Sequence, residues 1–567
     1  MKDHESGVQA RAGGIEVSTQ WVDSLPILNQ ILGRMRLREL LHQYLPRPGK
    51  SPKVPVADVV LTLVRNILLA REPLYGVDEW AKHYAPDLLE LTPEQVEALN
   101  DDRVGRCLEE IFRSDSSSLV IALSAHVVKE FEVSLKELHN DSTTVSFFGQ
   151  YEDAEEPHLK DGKTTRAITR GKSKDHRPDL KQLLFILTAS HDEGVPLYFT
   201  ASDGNTSDAK THIDSWELLC QITGRRDFLY VADSKLASAE NMDYIHQHGG
   251  RFLTVLPRTF RRELREFREQ AMAQELTFGR PLERGRTTDV NRLAQETRTK
   301  AGGYRLLWYH SSHKQEADAK ARATSLEWMQ RKLQELQGRL ALPQTRFRER
   351  SRVEKEVQPI TKNRLASALI HVEISSWSDP SRDQPDRRRF GLDWTVDLSQ
   401  EERLARTDGF FPLVTNDRRT SAGELLRAHK RQPVIEKRFS QLKSGFHVAP
   451  VFLKDVARIE GLLCAYFFAM VTQVLLQRAL RRKMRASKIP SLPLYYERRA
   501  SKRPSSTLIL RNLQRIFRHT VRQGSRTTEM VTELNDPQRR LVELFGLPVD
   551  TYGKSPDSKA KDAHPSP

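Results

Sequence analysis

The stretch "KQLLFILTASHDEGVPLYFTAS", residues 181–202, decides the fold class. Two apolar runs flank the turn-forming "HDEG", and this pattern is typical of a β-hairpin. Downstream, a helical pattern in "DAKTHIDSWELLCQIT" leads to the apolar strand "RDFLYVADSK", and the helix "SAENMDYIHQHGG" ends in glycines. Upstream, the apolar stretch "LHNDSTTVSFFG", residues 138–149, reads as a further strand. Strands and helices in this order predict an α/β domain with a mixed sheet.

Three carboxylates occupy positions where they can converge on one point. Asp141 interrupts the apolar stretch 138–149, and Asp233 ends an apolar strand, where polar residues commonly line sites in α/β sheets. Glu436 shares a predicted helix face with Phe439 and Lys443. Taken singly, each carboxylate is more typical of a solvated strand or helix end. Together they suit Mg²⁺, which prefers oxygen ligands and phosphate partners, and two such ions promote displacement at phosphorus.

The positive charge of the chain is concentrated near its C-terminus. The net charge is +15, yet residues 427–526 contain 23 Lys/Arg and only 4 Asp/Glu, so the remainder is net negative. This basic block indicates a polyanion such as nucleic acid, with a solvated basic surface as the alternative. The three cysteines are far apart, which argues against disulfides or zinc and fits a reducing cytoplasm. The first residues lack the apolar core of a signal peptide, so we expect a cytoplasmic location.

One apolar run resembles a membrane span in composition. It is "GLLCAYFFAMVTQVLL", residues 461–476, followed by the basic "RALRRKMR". The run is shorter than the roughly 18–20 residues that a span needs. We therefore predict a buried core helix and no membrane partner.

Pattern changes along the chain predict seven segments. We expect disorder over 1–19, a helical DNA-binding or assembly domain over 20–130, and the first part of an α/β core over 134–257. An inserted domain with short strands and one long charged helix would occupy 258–405. The core would resume over 406–487, beginning with the strand "DGFFPLVTN", residues 408–416. A basic helical region over 488–550 and a disordered tail over 551–567 would complete the chain.

Several of these blocks resemble a known family. "HNDSTTVSFFG", "SDGNTSDAKTH", "VADSKLASAENM" and "VIEKRFSQLKSGFHVAPVFLKDVARIEGLLCAYFFAM" resemble the conserved blocks of bacterial insertion-sequence transposases of the DDE type. The resemblance covers roughly residues 20–530. It implies a fold in which an RNase H-like mixed sheet is flanked by helices, interrupted by an inserted domain and preceded by an all-helical domain.

The resemblance also implies roles for individual residues. Asp141, Asp233 and Glu436 would be catalytic and would hold two Mg²⁺ ions, with Mn²⁺ as a substitute. In relatives with such an insertion the glutamate block often reads Tyr-x2-Arg-x3-Glu-x6-Lys; here Glu436 and Lys443 match, whereas His429 and Gln432 replace the tyrosine and the arginine. The residues expected to contact DNA phosphate are Lys443, Gln432, Lys430, Arg431, Lys437 and Arg438. Those expected to shape the site are Asn205, Asp208 and His429.

The expected activity is cut-and-paste transposition on double-stranded DNA. The terminal inverted repeats and the target DNA would be the partners, a homodimer would pair the two ends, and the enzyme would associate with the bacterial nucleoid when bound. Relatives with an insertion are thought to stack a flipped base on an aromatic ring, for which Trp308, Trp377 and Trp394 are candidates. Two alternatives stay open: a different RNase H-like nuclease, and a transposase-derived DNA-binding protein that has lost catalysis.

Overall fold

A computed structural model of the chain describes residues 10–12, 15–45, 52–274, 276–282, 288–342, 344–362, 364–378, 388–446, 453–497 and 499–552. The chain divides into two compact units. Unit 1 lies within Met1–Ala232, Gln247–Gly250 and Lys430–Pro567, and unit 2 within Asp233–His246 and Arg251–His429.

The helices and strands follow one another in this order. The first part contains β1 (Ala10–Ala12), β2 (Ile15–Trp21), α1 (Leu25–Arg34), α2 (Leu37–Tyr44), α3 (Val56–Leu69), α4 (Val77–Lys82), α5 (Pro93–Glu97), α6 (Asp101–Arg113), α7 (Ser116–Glu130), β3 (Glu137–Phe147), β4 (Leu159–Lys160), β5 (Lys163–Thr164), β6 (Lys181–Ser190), β7 (Pro196–Asp203), α8 (His212–Thr223), β8 (Leu229–Ala232), α9 (Ala239–Gln247), β9 (Arg251–Val255) and α10 (Arg261–Ala273). The second part contains β10 (Asn291–Arg298), β11 (Arg305–Ser311), α11 (Ser312–Ala341), α12 (Arg350–Thr361), β12 (Ile370–Ser378), β13 (Arg388–Val396), α13 (Leu398–Ala405), β14 (Phe410–Thr415), α14 (Ala422–Lys430), α15 (Pro433–Ser440), α16 (Val456–Ala486), α17 (Ser506–Asn512), β15 (Phe517–Gln523), β16 (Arg526–Val531) and α18 (Asp536–Phe545).

Unit 1 contains the predicted mixed sheet. Its strands lie in the order β8-β3-β6-β7, with β8 parallel to β3 and the other neighbours antiparallel. Every residue of β6 is buried, because this strand is apolar on both faces and lies between two others. The turn after β6 requires two left-handed residues, Glu193 and Gly194, and the "HDEG" sequence supplies them. The α/β fold class is therefore confirmed.

Helices surround this sheet in unit 1. The helices α1–α7 confirm the predicted helical domain in the N-terminal part, and α16 packs against α3, α6 and β7. Gly461 permits the closest approach, because a Cβ there would lie 2.2 Å from the carbonyl oxygen of Leu108 on α6. The helix α16 is long and apolar enough to cross a membrane, yet 94% of its most apolar window is buried inside the protein. The prediction of a core helix is confirmed.

The two ends of the described chain form a small sheet that the sequence reasoning missed. Strands β1, β2, β15 and β16 pair in this order, all antiparallel. The predictions of disorder over 1–19 and of helices throughout 488–550 are thus wrong for residues 10–12 and 15–19 and for the β15–β16 hairpin. The reason is that β2 and β15 are short and largely polar, and each is stabilised by a partner at the other end of the chain. Residues 1–9, 13–14 and 553–567 of the predicted disordered ends lie outside the described residues.

Unit 2 contains a second set of strands and the predicted insertion. Strands β10, β11, β14 and β9 are antiparallel neighbours in this order, and β14 confirms the strand predicted over 408–416. Because β14 pairs with β11 of the inserted segment and β9 pairs with β14, the compact unit extends beyond the predicted insertion, 258–405. The long charged helix is α11, whose buried stripe of Met329, Leu333, Leu336 and Leu340 packs with residues of α12, β12 and β13.

Candidate catalytic site

Asp141 lies in the middle of β3, the central strand of the unit 1 sheet. It is the only half-buried residue of that strand, whose other residues are all buried. Its Oδ1 accepts a hydrogen bond of 2.7 Å from the backbone N–H of Ser142. The strand therefore holds the carboxylate with 21% of the side chain still exposed.

Asp208 and Asp141 share the neighbours Ser142 and Lys174, and the site-shaping role of Asp208 stays a prediction. The Ser142 hydroxyl donates to Asp208 Oδ1 over 2.9 Å. The Lys174 ammonium lies 3.6 Å from Asp141 Oδ1 and 3.3 Å from Asp208 Oδ2, and it donates to the Ser142 carbonyl oxygen over 2.7 Å. A cation thus sits among oxygen atoms at this point of the sheet.

Lys443 follows α15 in a widened turn, and it is paired with a neighbouring carboxylate. Residues Gln441–Gly445 form one π-helical turn, so Lys443 is displaced from the α-helical register that placed it on one face with Glu436. Its Nζ lies 2.5 Å from Asp175 Oδ1. Asp175 Oδ2 also accepts from the Thr144 hydroxyl over 3.4 Å, which ties this pair to β3.

The segment before α15 is anchored to the first residues of strand β3. Arg431 donates through Nε over 2.7 Å and through Nη2 to the carboxylate of Glu137. His139, fully buried, contacts Glu137 over 2.8 Å and Gln432 Oε1 over 3.1 Å. Burial alone would raise the pKa of Glu137, but hydrogen bonds from Arg431 and His139 lower that pKa to about 2. These contacts fix how α15 lies on the sheet.

The charged residues of α15 differ in their exposure to solvent. Glu436 and Lys437 are exposed, and Glu436 forms no hydrogen bond or ion pair with any residue that the structure describes. Arg438 is only 8% exposed, and its Nη1 donates to Gln441 over 2.7 Å. Burial lowers the pKa of Arg438 to about 10. This placement favours a structural role for Arg438, whereas the phosphate contact of Lys437 stays a prediction.

Two further expected site residues belong to unit 1, Asn205 and Lys430. Asn205 is exposed in the turn after β7, and Lys430 is half-buried at the end of α14. Their roles stay predictions.

Unit 2 carries Asp233 and His429. Asp233 is half-buried and directly follows β8; its Oδ1 accepts from the backbone N–H of Lys235 over 3.0 Å. Its carbonyl oxygen accepts from the Thr254 hydroxyl over 2.6 Å, which fixes the turn on β9. The His429 ring packs against Phe411 of β14 with 5.8 Å between centroids.

The three tryptophans proposed for base stacking lie in different environments. Trp308 on β11 is 4% exposed and stacks on Phe267 at 3.7 Å, so its ring is already covered. Trp394 is partly buried against the apolar cluster of the inserted segment. Trp377, near the end of β12, is 51% exposed. The structure therefore contradicts the stacking prediction for Trp308 and leaves Trp377 as the exposed candidate among the three.

Lys174, Asp175 and Glu137 were missed by the sequence reasoning. Glu137 and His139 are two residues apart on a strand, so they share a face, and this spacing was a usable signal. Lys174 and Asp175 lie in "GKSKDHRPD", residues 171–179, where no spacing pointed to the site. In the described part of the chain, no group of three or more His, Cys, Asp or Glu side chains is gathered closely enough to hold a metal ion.

Comparisons with known proteins give the family. A family model described as "Transposase DDE domain" matches residues 138–472, and one described as a domain of unknown function (DUF4277) matches residues 17–125. Comparison with curated proteins gives no match. A solved structure, the cryo-EM structure of a piggyBac transposase synaptic complex with hairpin DNA, aligns with a TM-score of 0.35 and 10% identity over 94% of this chain and 86% of that chain. A TM-score of this size is too low to assign a fold.

The first of these matches spans more than half of the 567 residues. The chain therefore belongs to the family of transposases with a DDE domain. Its function is DNA transposition, and it is an enzyme that cleaves DNA and transfers DNA strands.

Proposed function

We propose that this transposase is a metal-dependent, cut-and-paste enzyme whose catalytic carboxylates are Asp141, Asp233 and Glu436. The observation that carries the proposal is the register of two parallel strands. Asn140 of β3 is the partner of Ala232, the last residue of β8, and in the sequence each of these two residues is followed by an aspartate, Asp141 and Asp233. Glu436 belongs to α15, which packs on β3.

The residues around Asp141 suit a divalent cation. The Lys174 ammonium already lies among the oxygen atoms of Asp141, Ser142 and Asp208, so this point of the sheet favours a positive charge. The donor atoms are oxygens, as Mg²⁺ prefers, and DDE enzymes generally use divalent metal ions. When bound, two Mg²⁺ ions would activate the attacking hydroxyl and stabilise the leaving oxygen of an in-line displacement.

The reaction would proceed in two displacements at phosphorus. In the first, the oxygen of water attacks the phosphorus and the bond to the 3′ oxygen breaks, which leaves a 3′-hydroxyl. In the second, the oxygen of that 3′-hydroxyl attacks the phosphorus of another phosphodiester and loses its proton as the new bond forms. The bond from that phosphorus to its former 3′ oxygen breaks, which leaves a 3′-hydroxyl on the attacked strand. Lys443 and Lys437 would hold the DNA phosphates, whereas Arg431 and Gln432 would keep α15 in place through Glu137 and His139.

The experiment is cleavage of a supercoiled plasmid that carries the native sequences flanking the gene. Wild type and Asp233→Asn are compared with Mg²⁺, with Mn²⁺ and with EDTA. We expect nicking and excision by wild type with metal only, and none by the variant. Cleavage that persists in EDTA or in Asp233→Asn would refute the proposal. Cleavage without joined products would identify a nuclease, and tight DNA binding without cleavage would identify an inactive derivative.

We also propose that a homodimer binds the two inverted repeats and one target duplex. The two DNA ends have to be held together before they are joined to the target, and a two-fold homodimer does this with two copies of the same chain. Light scattering of the protein with an end duplex should give two chains per pair of ends; one chain per complex would refute the homodimer.

We also propose that the protein binds the nucleoid within the cytoplasm. A fluorescent fusion should lie on the nucleoid, and a membrane or extracellular signal would contradict that location.

A further inference from the structure

The segment of residues 171–179 carries two adjacent residues of opposite charge, and each contacts a site residue of the opposite sign. The Lys174 ammonium lies 3.6 Å from Asp141 and 3.3 Å from Asp208, and it donates to the Ser142 hydroxyl oxygen over 2.5 Å. Asp175 lies 2.5 Å from the ammonium of Lys443. One short segment therefore neutralises both a carboxylate pair and a lysine of the site.

The segment is built to hold these two residues in place. At its start, Gly171 touches the turn that leads to Asp208, since a Cβ there would lie 2.0 Å from the carbonyl oxygen of Gly204. In its middle, the Ser173 hydroxyl accepts from the backbone N–H groups of Asp175 and Arg177, each over 3.2 Å. Lys174 and Asp175 thus take their positions from a folded turn that lies against the site.

The charges match those of the two ligands that catalysis requires. Asp141 needs a metal cation and Lys443 needs a DNA phosphate, on the proposed function, and the segment offers an ammonium to the first and a carboxylate to the second. Both contacts are partly exposed: 31% of the Lys174 side chain and 36% of the Asp175 side chain are accessible. Partly exposed ion pairs are weak, so a divalent ion and a polyanion can displace them.

We propose that Lys174 and Asp175 form an autoinhibitory clasp that occupies the metal and phosphate positions until metal and DNA arrive. The clasp rests on the proposed function, because it assigns Asp141 to the metal and Lys443 to phosphate. It also solves an electrostatic difficulty, since carboxylates gathered without a cation repel one another. Lys174 supplies a cation to Asp141 and Asp208.

The metal side of the clasp is tested by Mn²⁺ binding to the full-length protein without DNA, measured by electron paramagnetic resonance. Lys174→Met removes the ammonium and keeps the apolar stem, and Lys172→Met is the matched control, an exposed lysine of the same segment. We expect Lys174→Met to bind Mn²⁺ about fivefold more tightly than wild type, the size of one partly exposed ion pair. Lys172→Met should bind as wild type does.

The results separate the clasp from the proposed function. Equal affinity in Lys174→Met and wild type, with binding lost in Asp141→Asn, would overturn the clasp and leave the metal site standing. Binding unaffected by Asp141→Asn would overturn the metal assignment itself and the clasp with it. No detectable binding to Lys174→Met would equally overturn the clasp.

The phosphate side is tested by affinity for a short end duplex without metal, measured by fluorescence anisotropy. Asp175→Asn should bind several-fold more tightly than Asp179→Asn, which removes the same charge from a residue paired with Arg177. The gain should vanish when Lys443→Met is added to Asp175→Asn. Equal affinities of the two single variants, or a gain that survives Lys443→Met, would refute the phosphate side.

Discussion

The turn between β6 and β7 supports the helix that carries Glu436, and one added methyl group tests this support. Gly194 adopts a φ of 73°, and a Cβ at this position would lie 2.6 Å from Val434 Cγ1. Val434 is on α15, two residues before Glu436. In Gly194→Ala the helix and the turn therefore have to move apart, and Glu436 moves with the helix.

Two effects set the size of the change. The left-handed conformation costs an alanine about 1–2 kcal/mol wherever it occurs. The contact with Val434 adds about 1–3 kcal/mol of overpacking, because a valine side chain has little rotamer freedom in a helix. If Glu436 has its proposed catalytic role, a displacement of about 1 Å lowers the rate of cleavage by about 100-fold, a larger effect than the loss of stability alone would cause.

The control is Gly224→Ala, which isolates the first effect. Gly224 has a φ of 65°, and a Cβ there meets no atom within 4 Å. Cleavage of the plasmid and thermal unfolding are measured for both variants. We expect Gly224→Ala to lose stability alone, Gly194→Ala to lose stability and most of its cleavage, and Gly194→Ala with Val434→Ala to recover cleavage. Equal cleavage by the two single variants, or no recovery in the double variant, would refute the reasoning.

Three further changes test other parts of the protein. Glu137→Gln removes the carboxylate that accepts hydrogen bonds from Arg431 and His139. These contacts together outweigh burial and hold the pKa of Glu137 at about 2 rather than 4.5, so the ionised carboxylate contributes about 3 kcal/mol of stability above pH 4.5, and this contribution is lost as the pH falls toward 2. The difference in urea midpoint between this variant and wild type should therefore shrink by about half from pH 7 to pH 3, and a constant difference would contradict the pair. Gly461→Ala should lower the melting temperature by overpacking α16 on α6, whereas Gly33→Ala, with no atom within 4 Å of its Cβ, should not; equal melting would contradict the close approach. Trp377→Ala should reduce hairpin-ended products on denaturing gels but leave the first nick unchanged, and equal loss of both would contradict a stacking role.

Local patterns in the sequence were sufficient to predict the centre of the fold. The hairpin β6–β7 follows from two apolar runs around "HDEG", and α16 follows from an apolar run too short for a membrane span. The returning strand β14 was visible as the apolar piece 408–416. β6, β14 and α16 are buried along most of their length, and this burial requires the apolar runs that can be recognised in the sequence.

Features that depend on distant partners could not be predicted in this way. Strand β2 pairs with β15, almost 500 positions further along the chain, and neither strand is apolar enough to be recognised alone. The π-helical turn that displaces Lys443 arises where α15 ends against other elements, and its residues also suit an ordinary helix. Lys174 reaches Asp141 only because a folded turn carries it there.

The basic C-terminal block shows that a count of charged residues does not reveal how many of them are available to bind DNA. Its excess of Lys and Arg indicated a polyanion partner, yet several of its arginines are used inside unit 1. Four of them pair with the turn between β6 and β7: Arg478 with Asp192, and Arg481, Arg485 and Arg503 with Glu193. Glu193 is the neighbour of Gly194, so these arginines hold the same β6–β7 turn that packs against α15. Part of the positive charge is therefore used to hold this turn, and on the proposed function it helps to position Glu436.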